Sequence, residues 1–124
     1  MKELKFRAWN GKKIIDDVIP ASETSIIELF DRYEWQETEV KAVEQYTGLK
    51  DKNGKEIFIG DIVSEHNGDI IGKIIQKPSG EYCIAWIGIY AGSSILYDEL
   101  SMCEVVGNIH ENANLLGEDR NEKA

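Results

Sequence analysis

Leu4, Phe6 and Ala8 alternate with Lys5, Arg7 and Trp9, the two-residue period of a strand with one face turned inward. Asn10-Gly11 follows. Both residues tolerate positive φ, so the pair predicts a turn that returns Ile14 to Ile19 beside the first strand until Pro20 ends it. Ser22 and Ser25 then offer N-caps, Glu28 completes a capping box with Ser25, and Ile26, Ile27, Phe30 and Tyr33 share one helical face. The pattern predicts a helix over residues 23–35, the one substantial helix of the chain.

Between Thr38 and Tyr46 neither period is clean, and the Thr, Val and Tyr content favours a strand. Further on, turn signals recur about every ten residues. Asp51-Lys52-Asn53-Gly54, Gly60-Asp61, Asn67-Gly68-Asp69, Pro78-Ser79-Gly80 and Ala91-Gly92-Ser93 separate the apolar runs Ile57 to Ile59, Ile62 to Glu65, Ile70 to Lys77 and Tyr82 to Tyr90. That spacing predicts a mainly β chain whose meander closes into a small barrel or sandwich. Gly48 and Gly54 are expected to hold backbone shapes that other residues would strain, and Gly60 to permit a sharp bend while Asp61 bonds its neighbours' backbone. A last strand is expected at Cys103 to Val106, with Val105, Val106 and Ile109 buried, then a turn of helix over residues 111–116 started by Asn112. Residues 117–124 offer nothing to bury and are expected to be a disordered tail.

Composition narrows the class. The 124 residues are 42% hydrophobic and 30% charged, enough for one soluble domain with its own core. No apolar run reaches the roughly 20 residues of a membrane span, and no signal peptide is visible, so a cytoplasmic location without membrane attachment is expected. The formal charge of −9 is unevenly placed: Lys2, Lys5, Arg7, Lys12 and Lys13 against Glu3 give the first 13 residues +4, and the rest carry −13. Such a body disfavours direct nucleic-acid binding, while the basic stretch suits an acidic surface on a partner or on a second copy.

Candidate chemistry is sparse. Asp51, Asn53, Glu56 and Asp61 crowd together, but Gly54 comes fourth after Asp51 and Lys52 and Lys55 intervene, which is not calcium-loop spacing; a hairpin turn is favoured. His66, Cys83, Cys103 and His110 lack the paired short spacing of a zinc site, and the two cysteines are expected as reduced, buried thiols. Ser93 and Ser94 have no nucleophile elbow around them and are expected in a turn. Asp98 and Glu99, adjacent on a strand, would point to opposite faces. No catalytic residue, metal site or cofactor site is assigned. Trp35, among Glu34, Gln36 and Glu37, is the aromatic with an interface role in view.

Three blocks carry a resemblance: KFRAW at Lys5 to Trp9, QYTGLKDKNGKEIFIGDIV at Gln45 to Val63, and EVVGNIHENANLL at Glu104 to Leu116. In order and relative position they resemble the YopX family, small proteins encoded by phages and prophages of Gram-positive bacteria. Asn10, His110 and Ala113 depart from that family's usual Asp, Tyr and Pro. The resemblance implies a mainly β fold of two small subdomains, here residues 1–46 with the hairpin and helix and residues 47–116 with the barrel-like meander, and ring-like homo-oligomers. It implies no reaction. The expected function is a non-enzymatic phage accessory protein that self-assembles, with Lys5, Arg7 and Trp35 as candidate interface residues, and docks to a host or phage protein. Two other classes stay open: an acidic decoy imitating nucleic acid, and a hydrolase.

Overall fold

The computed structural model describes residues 4–88 and 91–117. The ends of the chain, including the expected tail from 118 on, and the last two residues of the Tyr82 to Tyr90 run lie outside the described residues. The chain divides into two compact units, Met1–Tyr46 and Thr47–Ala124. No helix among the described residues is long and apolar enough to cross a membrane.

In the first unit β1 (Phe6–Trp9) lies between β2 (Ile14–Asp16) and the first half of β6 (Ala42–Lys50), antiparallel to both. The β1–β2 connection turns on Asn10, whose Oδ1 accepts hydrogen bonds from the amides of Lys12 (2.8 Å) and Lys13 (2.9 Å). The expected return strand is shorter than Ile14 to Ile19, because Asp17 takes φ +57° and the chain leaves for another sheet. That sheet is β3 (Ile19–Pro20), β4 (Ser25–Leu29) and β5 (Trp35–Glu39), in that order. Ala8, Val18, Ile26 and Val40 form the buried cluster of this unit.

The helix expected over residues 23–35 is absent; β4, a tight turn and β5 occupy the segment. Neither Ser22 nor Ser25 caps a helix. Ser22 Oγ accepts from the Thr24 amide, Ser25 Oγ donates to Glu37 Oε2 (2.8 Å) across the strands, and Asp31 Oδ1 accepts from the amides of Tyr33 and Glu34. Side chains that bond locally compete with helix, and the β-branched pair Ile26-Ile27 tips the balance toward strand. Ile26 alone of the supposed helical face is fully buried.

The second unit begins in the second half of β6, beside β7 (Glu56–Phe58), where Thr47 Oγ1 donates to the Ile57 carbonyl (2.7 Å). Then β8 (Asp61–Glu65), β9 (Ile70–Gln76), β10 (Tyr82–Trp86), β11 (Gly92–Ile95) and β12 (Glu104–Asn108) form one sheet in the order β11-β10-β9-β8-β12, a half-barrel. Ile57, Val63, Ile74, Ile84, Leu96 and Cys103 close its core. A 3-10 turn at Leu96–Glu99 places Leu96 in that core, and another at Ala113–Leu116 packs on β9. The expected helix start at Asn112 is not a side-chain cap: its Oδ1 accepts from the Asn108 amide (3.1 Å) instead. The last strand is displaced from Cys103 to Val106, and it carries a register shift between Val105 and Gly107 that leaves Val106 exposed rather than buried.

Candidate functional site

Turn chemistry accounts for the acidic group at residues 51–61. Asp51 Oδ1 accepts from the amides of Asn53 and Lys55, both at 2.9 Å, and its Oδ2 accepts from the Val105 amide at 2.8 Å, pinning the turn to β12. Asn53 Nδ2 adds a bond to Glu104 Oε2 (3.1 Å). Gly54 sits at φ +83° with open space around it, so backbone shape is what it supplies. Gly48 and Gly60 also have positive φ (+85° and +92°), and Asp61 Oδ2 accepts from the Phe58 amide at 2.8 Å.

The other candidates are not brought together. Among the described residues no group of three or more His, Cys, Asp and Glu side chains could hold a metal ion. Cys83 and Cys103 are free and buried. Burial first, then the charges of Asp51, Glu65 and Glu99, push the Cys103 thiol up to about 11, so it stays protonated. Ser93 and Ser94 lie on β11 rather than in a turn, and Ser94 Oγ accepts from Trp86 Nε1 (2.8 Å).

Two surface features stand out in the first unit. Lys5 and Arg7 do not both point to water. Arg7 is buried and its Nε donates to Glu44 Oε1 at 3.0 Å, while Lys5 Nζ lies 5.9 Å from the centre of the Tyr46 ring. Leu4, expected inside, is exposed. Exposed charge on this stretch sits at Lys12 and Lys13 in the β1–β2 loop. The second feature is the end of the β4–β5 hairpin. Trp35 is 61% exposed opposite its cross-strand partner Leu29 at 66%, and Phe30 and Tyr33 in the turn are 62% and 84% exposed. Asp31, Glu34 and Glu37 lie among them, also exposed.

A third arrangement, in the second unit, was not legible in the sequence. Glu65 at the end of β8 and Glu99 at the end of the 3-10 turn meet at a cavity of about 270 Å³, whose other lining residues are Ile70 and Trp86. Glu65 is only 6% exposed, and its Oε2 has no hydrogen-bond partner. Burial, then hydrogen bonding and charge from Glu99, push its carboxyl from 4.5 to about 7. Trp86 is flanked in register by Gly72 on β9 and Gly92 on β11. A Cβ at Gly72 would stand 2.9 Å from Trp86 Cε3 and 2.6 Å from Ile84 Cγ2, so glycine there gives the indole room. Asp98 and Glu99, expected on opposite faces of a strand, sit in that 3-10 turn, which is how Glu99 reaches β8.

Comparison with known proteins adds family and fold. A family model described as YopX protein matches residues 5–117. The crystal structure of protein EF1440 from Enterococcus faecalis superposes with a TM-score of 0.64 at 26% identity, covering 94% of this chain and 99% of that one. Among curated proteins no sequence matches.

Proposed function

The chain belongs to the YopX family, and we propose that it is a non-enzymatic, self-assembling interaction protein, a phage or prophage accessory acting in the cytoplasm of a bacterial host. The observation that carries this reading is the apolar end of the β4–β5 hairpin, where Leu29, Phe30, Tyr33 and Trp35 are exposed together. Contiguous apolar patches on soluble proteins mark contact surfaces, and Trp and Tyr are the residues that most often anchor them.

The occupant proposed is a second copy. The hairpin end is rimmed by Asp31, Glu34 and Glu37, while the same unit offers Lys12 and Lys13 on an exposed loop. Two complementary patches on one chain join copies head to tail, and such contacts close into a ring when the rotation permits. Arg7, held by Glu44, leaves the electrostatic part to the two loop lysines. Light scattering on size-exclusion fractions at low salt tests this. The parent is expected at a multiple of 14.0 kDa, and Trp35→Ser or the Lys12→Glu, Lys13→Glu pair at a smaller mass. A parent that stays monomeric at every concentration overturns the reading.

A further inference from the structure

From the second unit we infer that the cavity between Glu65, Glu99, Trp86 and Ile70 is a binding site for a guanidinium group carried on an aliphatic stem. The proposal is independent of the hairpin contact, since every residue in it lies beyond Thr47.

The chemistry of the walls selects the ligand. The carboxyl groups of Glu65 and Glu99 repel anions and attract a cation. The Trp86 indole and Ile70 offer no oxygen ligands, so a calcium ion would find at most the four oxygens of the two carboxyl groups, short of the six to eight it takes. A guanidinium suits both halves: its planar fork donates to carboxylates in pairs, it is weakly hydrated, and its face stacks on an aromatic ring. At about 270 Å³ the space fits a head group and a short stem, just below the range of ordinary ligand pockets.

Glu65 supplies an acceptor that the protein itself leaves unused. Its Oε2 is buried with no hydrogen-bond partner in the protein, a cost in free energy that a donor would recover once the carboxyl turns toward the cavity it lines. The carboxyl is set among acids: Glu99 faces it, and the nearby Cys103 thiol feels Asp51, Glu65 and Glu99 together. At neutral pH Glu65 therefore holds part of a proton, which a bound cation would expel. The indole is fixed for stacking by its bond to Ser94 and by the clearance at Gly72.

Free alkylguanidines and arginine side chains present the same group, and a titration of the full chain separates them. The Trp86 indole N–H resonance, assigned through Trp86→Phe, is followed as butylguanidinium, acetyl-Gly-Arg-Gly-amide or its citrulline counterpart is added. Saturable shifts with the first two are expected. A peptide at least tenfold tighter than butylguanidinium identifies a partner's arginine, and the reverse order identifies a small molecule. Calorimetry at pH 7 in phosphate and in Tris should give different apparent enthalpies, because a proton is released. Glu65→Gln and Glu99→Gln, each checked for an unchanged circular dichroism spectrum, should weaken binding at least tenfold. The inference is overturned if neither guanidinium probe gives a saturable shift, if the citrulline peptide shifts the resonance equally, if butylammonium binds as tightly as butylguanidinium, or if both folded glutamine variants bind like the parent.

Discussion

Beyond Thr47, Ile57, Val63, Ile74, Ile84, Leu96 and Cys103 meet in one fully buried cluster, and Leu49, Tyr82, Trp86, Leu100 and Val105 pack around it. Up to Tyr46 the buried cluster is the smaller Ala8, Val18, Ile26 and Val40, with Tyr46 buried as well, while Leu29, Phe30, Tyr33 and Trp35 remain outside. The polar interior differs too. The first unit buries an ion pair, Arg7 with Glu44, and the second buries a carboxyl, Glu65, whose neighbour is another acid. Apolar side chains placed inside stabilise their own unit, whereas those left outside gain only by meeting something else. The second unit thus builds the larger core, although Tyr97 stays exposed on it, and the first gathers four exposed large side chains at one hairpin end.

The harshest way to break that comparison is Arg7→Glu. It would set two carboxylates face to face in a largely buried site, and removing one partner of a buried pair typically costs about 3–5 kcal/mol. Urea unfolding should show most of the stability of the first unit gone; a midpoint near that of the parent would mean that Arg7 reaches solvent. In the second unit Ile84→Ala deletes buried methyl and methylene groups from the cluster, with an expected loss of about 2–5 kcal/mol by the same measurement.

A third test uses pH. Glu65 is raised from 4.5 to about 7 in the folded chain, so its protonated form favours folding. That contribution is fully present below about 4.5 and is lost as pH rises through about 7. Melting temperature followed from pH 4.5 to 8 should therefore fall more steeply for the parent than for Glu65→Gln. Parallel curves would place the carboxyl in contact with solvent.

What could be read in the sequence divides along the same line. Local turns were legible in place: the chain turns at Asn10-Gly11, Asp51 to Gly54 and Gly60-Asp61 as expected, with Gly54 at positive φ and Asp61 bonded to its neighbours' backbone, although Asn10 acts through its side chain rather than a positive φ and Gly92 and Ser93 lie on a strand. The β4–β5 hairpin was not. Ile26, Ile27, Phe30 and Tyr33 match a helical face by spacing, yet the spacing arose because Ile26 points to the core and Phe30 and Tyr33 ride on the exposed turn. Periodicity assumes that apolar residues face one interior, and an apolar contact surface violates that assumption. The Glu65–Glu99 pair was hidden for another reason. It depends on β8, β9 and β10 taking one register and on a 3-10 turn folding back, neither of which leaves a short-range trace. The Arg7–Glu44 pair was hidden similarly, since alternation on β1 cannot reveal that Glu44 stands opposite Arg7 on β6.

Gly54→Val sharpens the reading of the second unit at modest cost. Nothing lies within 4 Å of a Cβ built there, so the φ of +83° is what opposes a side chain. A β-branched residue in that region should lose about 1 kcal/mol or more. An unchanged unfolding midpoint would show that the Asp51 turn adopts another shape in the variant without penalty.

The smallest expected effect is the most telling for the first unit. Trp35 contributes to its own chain through the cross-strand pair with Leu29, a contact of the kind that adds roughly 0.2–1 kcal/mol. With 61% of the residue exposed, little of the indole is there to be lost from a core. Trp35→Ser should therefore leave the urea midpoint of the dissociated chain within about 1 kcal/mol of the parent measured at the same low concentration, where self-association adds nothing by mass action. A tryptophan covering its own core would instead cost about 3–5 kcal/mol on truncation. A loss of that size would turn the hairpin end from a surface held ready for contact into part of the fold, and the contrast between the two units would disappear with it.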